Sequence, residues 1–345
     1  MRKRTVVAGL LALACALGSY TASRAAQLIN GAGATFPYPL YSKWFDVYAK
    51  QDQDVKFNYQ SIGSGGGIRM LTARTVDIGA SDAPMSDQQL AAAPGKILHF
   101  PSVMGAVVIA YNLPGFSGKL KLDGPTIARI FMGKITKWND PGIAALNTGA
   151  SLPATDIVVA HRSDGSGTSY IFTDYLSKVS PEWSSTVGKS TAVKWPTGLG
   201  GKGNEGVTAL VQQTPGSIGY VELIYALTNH IPFADLKNKD GNWVTASLDG
   251  VTAAAASAAA NMPSDFRVSI TDASGPTAYP ISSFTYLLVY QQQNSRETGS
   301  QVKRFINWAL HAGQQYAPPL NYAPLPAQVV ELEGKQLDTI QLPAK

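Results

Sequence analysis

Leu28-Ile29-Asn30-Gly31-Ala32-Gly33-Ala34-Thr35-Phe36 holds a short apolar run, a glycine break and the approach to a helix. Leu28 to Asn30 reads as a strand, which Gly31 to Phe36 interrupts. Leu40, Tyr41, Trp44, Phe45 and Tyr48 then recur at helical spacing. The order repeats at once. Val55, Phe57 and Tyr59 alternate as in a strand, Gly63-Ser64-Gly65-Gly66-Gly67 follows, and a helix is predicted around Ile68 to Val76. Asp77 to Ala80 reads as the next strand and ends at Ser81-Asp82. Strand, glycine turn and helix in repetition predict an α/β fold with mainly parallel strands.

Outward from this start, Val103 to Tyr111 is a long apolar strand candidate. Thr126–Met132 and Pro141–Leu146 are predicted helices, Ile157–His161 a strand and Ser166–Val179 a helix. Gly203–Gln213 and Tyr220–Thr228 read as helices around a turn at Pro215-Gly216. Ala253–Ala260 is alanine-rich and helical by composition, Ile281–Tyr290 restarts a strand, and Val302–His311 and Gln328–Ile340 are closing helices.

Three turns rich in glycine and hydroxyls precede helices: residues 31–36, 63–67 and 164–168. The first N–H groups of a helix have no backbone partner, and the helix dipole puts partial positive charge there. Such a turn lets an anion approach those groups closely. Each turn taken alone also reads as a plain connection with a Ser or Thr cap. On the same footing, Arg162 and Asp164 read as a surface ion pair, and Asp82 as a cap for the segment starting near Ser86. Three such turns in one chain suggest several helix N-termini converging on one anion.

Arg2, Lys3 and Arg4 lead an apolar run from Val6 to Leu17, and Ser23-Arg24-Ala25 supplies small residues at a cleavage site. That order predicts a secretory signal peptide over residues 1–25, with a mature chain starting near Ala26. The run has 12 residues, short of the roughly 20 a membrane span needs. Four of the 28 basic residues lie in this segment, leaving 24 against 23 acids, a formal +1. With no basic cluster, nucleic-acid binding is not expected. Cys15, the only cysteine, lies in the same segment, where Ala12-Leu13-Ala14-Cys15 makes a poor lipobox. The exported chain is therefore expected to stand on its core, without disulfides. Residues 26–345 exceed what one core usually organises, so two lobes are expected.

Much chemistry is missing. Gly198-Leu199-Gly200-Gly201-Lys202-Gly203 fails as a phosphate-binding nucleotide loop. Gly203 follows Lys202 where a Ser or Thr must hold magnesium, and Pro196 takes the first glycine position. Gly31-Ala32-Gly33 lacks a third dinucleotide-binding glycine, and neither Ser64 nor Ser166 sits in a nucleophile elbow. His99, His161, His230 and His311 lack metal-ligand spacing, so no metal and no cofactor is expected.

Ile29 to Pro37 resembles the start of the mature periplasmic phosphate-binding proteins of phosphate-specific ABC transporters. Gly63-Ser64-Gly65-Gly66-Gly67 is similar to a second family segment, although the family often has a serine where Gly65 stands. Asp77 to Pro84, Arg162 to Ser169, and Lys194-Trp195-Pro196 to Gly203-Asn204 resemble further family motifs, in order, and the likeness runs from Gly31 to about Tyr322. The resemblance implies a type II periplasmic-binding-protein fold: two α/β lobes with the ligand in the cleft between them. It implies a first lobe of 26–103 plus the return segment 278–345, with 104–277 as the second lobe.

The resemblance also implies a phosphate site. Thr35 would give its hydroxyl and Phe36 its N–H, in the loop opened by Ala34. Ser64 would give a hydroxyl and an N–H, and Asp82 the single carboxylate acceptor. Arg162 would reach in from the second lobe, held by Asp164, beside Ser166, Gly167 and Thr168 at a helix start. The expected partners are inorganic phosphate and the permease subunits of an ABC importer, for a periplasmic monomer that is not an enzyme. Other readings are a receptor for sulfate, molybdate or another oxyanion, an exported phosphatase with Ser166 as nucleophile and His161 as base, and an adhesion or scavenging protein on the same fold.

Overall fold

The computed structural model describes residues 26–344. The signal-peptide reading of residues 1–25 lies outside them. The strands are β1 (Gln27–Gly33), β2 (Val55–Ser61), β3 (Ile78–Ser81), β4 (Ile97–Asn112), β5 (Lys121–Leu122), β6 (Val158–Arg162), β7 (Leu199–Gly201), β8 (Ser217–Glu222), β9 (Asp235–Lys237), β10 (Trp243–Val244) and β11 (Ser282–Tyr290). The helices are α1 (Tyr38–Gln51), α2 (Ser64–Thr72), α3 (Asp87–Ala92), α4 (Gly124–Phe131), α5 (Pro141–Leu146), α6 (Gly167–Val179), α7 (Pro181–Thr186), α8 (Gly203–Gln213), α9 (Leu223–Thr228), α10 (Leu248–Ala260), α11 (Arg296–Leu310) and α12 (Ala327–Leu337).

The main sheet runs β2-β1-β3-β11-β4-β8-β6-β7, and β10-β9-β5 forms a small second sheet. β4 is the strand that joins two lobes. Its residues 97–106 ladder with β11, and its residues 107–112 ladder with β8. Where it changes partner, the Val107 N–H donates to the Ile281 carbonyl at 2.8 Å. Each lobe has its own aromatic centre. Phe57 stacks on Phe45 at 4.6 Å and meets Phe305 at 4.7 Å in the first, and Phe172 stacks on Tyr220 at 4.3 Å in the second.

The main sheet is mixed, with four of its seven strand pairings parallel and three antiparallel. β1 pairs in parallel with β2 and β3, and β6 with β7 and β8, but β4 and β11 run antiparallel to their neighbours. Three local readings change. Gly31 to Gly33 continues β1 instead of breaking it, paired on both sides by β2 and β3. The run Gly65-Gly66-Gly67 is the first turn of α2, not a loop before it. Packing explains that choice: a Cβ on Gly67 would sit 2.6 Å from the Ala32 carbonyl oxygen, and one on Gly66 2.7 Å from Ile62. Tyr220 and Val221, read as helix, lie in β8 between β4 and β6, and the helix begins only at Leu223. A central strand buried on both faces has no alternation to announce it.

Candidate functional site

The first loop is fixed by β1. Gly33 has φ +144°, and a Cβ there would fall 2.0 Å from the Ala80 carbonyl oxygen, so no larger residue fits. Ala34 donates its N–H to the Ala80 carbonyl at 2.9 Å and accepts from the Tyr59 hydroxyl at 2.8 Å. Thr35 and Phe36, both buried, follow. The Thr35 carbonyl accepts from the Tyr225 hydroxyl at 2.6 Å, and the Phe36 carbonyl from the Tyr322 hydroxyl at 2.6 Å.

The second and third pieces share a carboxyl. Gly63, at φ +86°, turns the chain so that Ser64 opens α2. The buried Ser64 Oγ accepts the Asp82 N–H at 3.1 Å. Asp82 follows the end of β3, and its Oδ1 accepts from the Thr285 hydroxyl at 2.8 Å. Asp82 does not cap α3: Ser86 does, in a capping box with Gln89. Burial pushes the Asp82 carboxyl up to about 7, against the lowering influence of the Thr285 hydrogen bond, the Arg162 charge and Ser64.

The second lobe contributes Arg162 at the end of β6. It is no surface ion pair: the side chains of Arg162 and Asp164 are 1% and 13% exposed. The guanidinium grips Asp164 through Nε at 2.8 Å and Nη2 at 2.6 Å, leaving Nη1 to donate to Thr168 Oγ1 at 3.3 Å. Burial alone would raise the Asp164 carboxyl. The Arg162 hydrogen bonds and charge, with the Gly203 N–H, outweigh it and hold the group below its ordinary value. Ser166 is the N-cap of α6, its Oγ accepting the Ser169 N–H at 3.0 Å, and Gly167 and Thr168 are the first helical residues.

The fold brings the two sets together. The Gly65 N–H donates to the Gly165 carbonyl at 2.9 Å across the lobes. A Cβ added to Gly167 would lie 2.4 Å from both Asp82 Oδ2 and Ser64 Oγ. Thr35 and Thr168 are bridged by the side chain of Asn204, at 2.8 Å and 3.1 Å. The result is a buried patch with one guanidinium, the start of α6, four hydroxyls and one carboxyl of raised pKa. Such a patch suits an anion that accepts many hydrogen bonds and donates one. Among the described residues no cluster of His, Cys, Asp or Glu has the arrangement to hold a metal.

His161 stands apart from this chemistry. Its ring stacks on Trp195 at 4.9 Å, and its Nδ1 lies 3.1 Å from the Arg162 carbonyl oxygen, while the Ser166 Oγ serves its helix. Sequence reasoning missed Asn204, although it stands in a quoted motif, and Thr285, Tyr225 and Tyr322, each a polar group in an otherwise apolar stretch.

A PBP superfamily domain model matches residues 18–312. The chain is 47% identical over 332 residues to the phosphate-binding protein PstS of Pasteurella multocida, covering 96% of this chain and 94% of that one. To the PstS of Haemophilus influenzae it is 46% identical, covering 91% and 93%. A solved high-affinity periplasmic phosphate-binding protein with bound phosphate superposes with TM-score 0.73 at 23% identity, over 90% of this chain and 93% of that one. The fold is thus that of a two-lobed solute-binding protein of the PBP superfamily. Within it, the chain belongs to the family of PstS phosphate-binding proteins.

Proposed function

We propose that this protein binds inorganic phosphate between its lobes and delivers it to an inner-membrane ABC importer. The observation that carries the reading is Asp82, a buried carboxyl whose Oδ2 lies beside Ser64 and Gly167 at the start of α6. An anion beside a carboxylate needs a proton of its own, and phosphate near neutral pH always keeps one. Arg162, the α6 N–H groups and the hydroxyls of Thr35, Ser64, Ser166 and Thr168 supply dispersed positive potential, and the Phe36 N–H in the loop opened by Ala34 adds another donor. Asp164 holds the guanidinium in place.

β4 passes from β11 to β8 at Ala106–Val107, beside Ile281, and this crossing is where we place the hinge for lobe closure. On this reading the protein is a periplasmic monomer without catalytic activity that hands its ligand to permease subunits, and the relatives named phosphate-binding protein support the choice of ligand. No helix among the described residues is long and apolar enough to cross a membrane. Calorimetry on the ligand-stripped protein with phosphate and with sulfate tests the reading. Tight phosphate binding and no sulfate binding are expected. Equal binding of both anions, or turnover of a chromogenic phosphate ester, would overturn it.

A further inference from the structure

Asn204 opens α8 and is fully buried, and it touches both lobes. Its Oδ1 accepts the Glu222 N–H at 2.9 Å. That contact fixes the amide's orientation, because a backbone N–H can only donate. The other amide atom is therefore the NH₂, and both of its protons are spoken for. One goes to Thr35 Oγ1 at 2.8 Å and one to Thr168 Oγ1 at 3.1 Å.

A hydroxyl oxygen has two lone pairs and one proton. Thr35 Oγ1 takes a second donor, the Asn204 backbone N–H, at 3.2 Å. Thr168 Oγ1 takes a second donor, Arg162 Nη1, at 3.3 Å. Both oxygens are thus filled as acceptors. Their only remaining capacity is to donate, and neither hydroxyl can rotate to accept from a ligand without losing a buried bond.

We infer that Asn204 is a positioning residue that turns the Thr35 and Thr168 hydroxyls, one from each lobe, into obligate donors toward the ligand. The inference rests on the phosphate reading above and gives that site a further basis for choosing anions over neutral or cationic solutes. It also makes Asn204 a gauge of closure, since Thr35 and Thr168 reach the same amide only when the lobes meet. Asn204 need not touch the ligand to do this.

A double-mutant cycle read by calorimetry with inorganic phosphate tests it. Asn204→Ala is expected to weaken binding at least tenfold in the parent protein. On a background carrying Thr35→Val and Thr168→Val together, the same change is expected to cost less than threefold, because both hydroxyls it orients are gone, and on either single valine background the cost is expected to be intermediate. A purely structural asparagine would cost the same on every background, and that outcome overturns the inference. Asn204→Asp keeps the size and guards against a variant that does not fold. Its carboxylate accepts where the amide donated and draws the hydroxyl protons away from the ligand. Its loss is likewise expected to shrink on the valine backgrounds, whereas a loss that persists in full reflects charge alone and counts against the idea. Failure of the parent protein to bind phosphate would instead sink the functional reading.

Discussion

The Thr285 hydroxyl donates to Asp82 Oδ1 at 2.8 Å, joining the long return strand β11 to the residue that follows β3. The ladder between β4 and β11 shifts register at Thr285/Tyr286, with Ser102 unpaired opposite, and the Ser102 hydroxyl donates to the Thr285 carbonyl at 3.1 Å. An irregularity of this kind re-aims a side chain. Here it occurs at the residue that occupies one oxygen of Asp82, while the other oxygen faces Gly167. Asp82→Asn is expected to narrow the phosphate-over-sulfate ratio, since an amide can turn its NH₂ to a fully ionised anion. Thr285→Val is expected to weaken phosphate binding by about 1 kcal/mol, the worth of one hydrogen bond, with Thr285→Ser restoring it. Paired calorimetric titrations at matched pH and salt check both, and an unchanged ratio in Asp82→Asn would remove Asp82 from selectivity.

Arg162→Ala is expected to cost about 2–5 kcal/mol of phosphate affinity, because it leaves a buried charge without its partner. Ser166→Ala is expected to act twice. It removes an N-cap, lowering stability by about 0.5–2 kcal/mol, and it removes a donor, lowering affinity by about 1–3 kcal/mol. Thermal melts with and without phosphate separate the two effects.

Gly167→Ala introduces a methyl where Asp82 Oδ2 and Ser64 Oγ stand 2.4 Å away. The lobes then meet a wedge. Phosphate affinity is expected to fall at least a hundredfold, about 2.7 kcal/mol or more, while the ligand-free protein melts near the parent temperature. Small-angle scattering with saturating phosphate should report an open form.

The ionisable groups predict two opposite pH trends for the ligand-free protein. Burial raises Asp82 to about 7, and it raises Glu333, fully buried on α12 with neither oxygen bonded, well above 4.5. Such a group binds more protons folded than unfolded, so its contribution to stability falls as pH rises from the unfolded value through the folded one. Asp174 runs the other way. Burial would raise it, but hydrogen bonds from Lys189, Ser269 and Thr271 and the Lys178 charge bring it down to about 2. Its contribution is present above the unfolded value and is lost as pH falls from 3.8 toward 2. Melting temperature is therefore expected to decline from pH 5 to 8, and Glu333→Gln to flatten that decline and stabilise the protein at pH 8. A parent curve that rises steadily to pH 8, with no gain in Glu333→Gln, would contradict this.

What the sequence carried was local. Pro141–Leu146 and Gly203–Gln213 are helices over the very residues their periodicity marks, because apolar spacing and a flanking Pro or Gly act within a few residues. Tyr220 and Val221 misled because a strand buried between two others looks apolar in any register. The glycines at 65–67 misled because their reason lies in Ile62, Ala32 and Gly33, neighbours of α2 in space. The same holds for the site. Thr35, Ser64, Asp82 and Arg162 stand in recognisable motifs. Thr285 lies 203 residues from Asp82 and Asn204 lies 169 from Thr35, so no local pattern announces either pairing.

β4 gives the molecule one last property. Its 16 residues are all buried except the last, and they are laddered first by β11 and then, past Ala106, by β8. Neither lobe has a complete sheet without it. Removing β4 would leave the edges of β11 and β8 unpaired, open to pairing with another chain. One strand thus belongs to both sheets, so whatever unseats β4 strips an edge from each lobe at the same time.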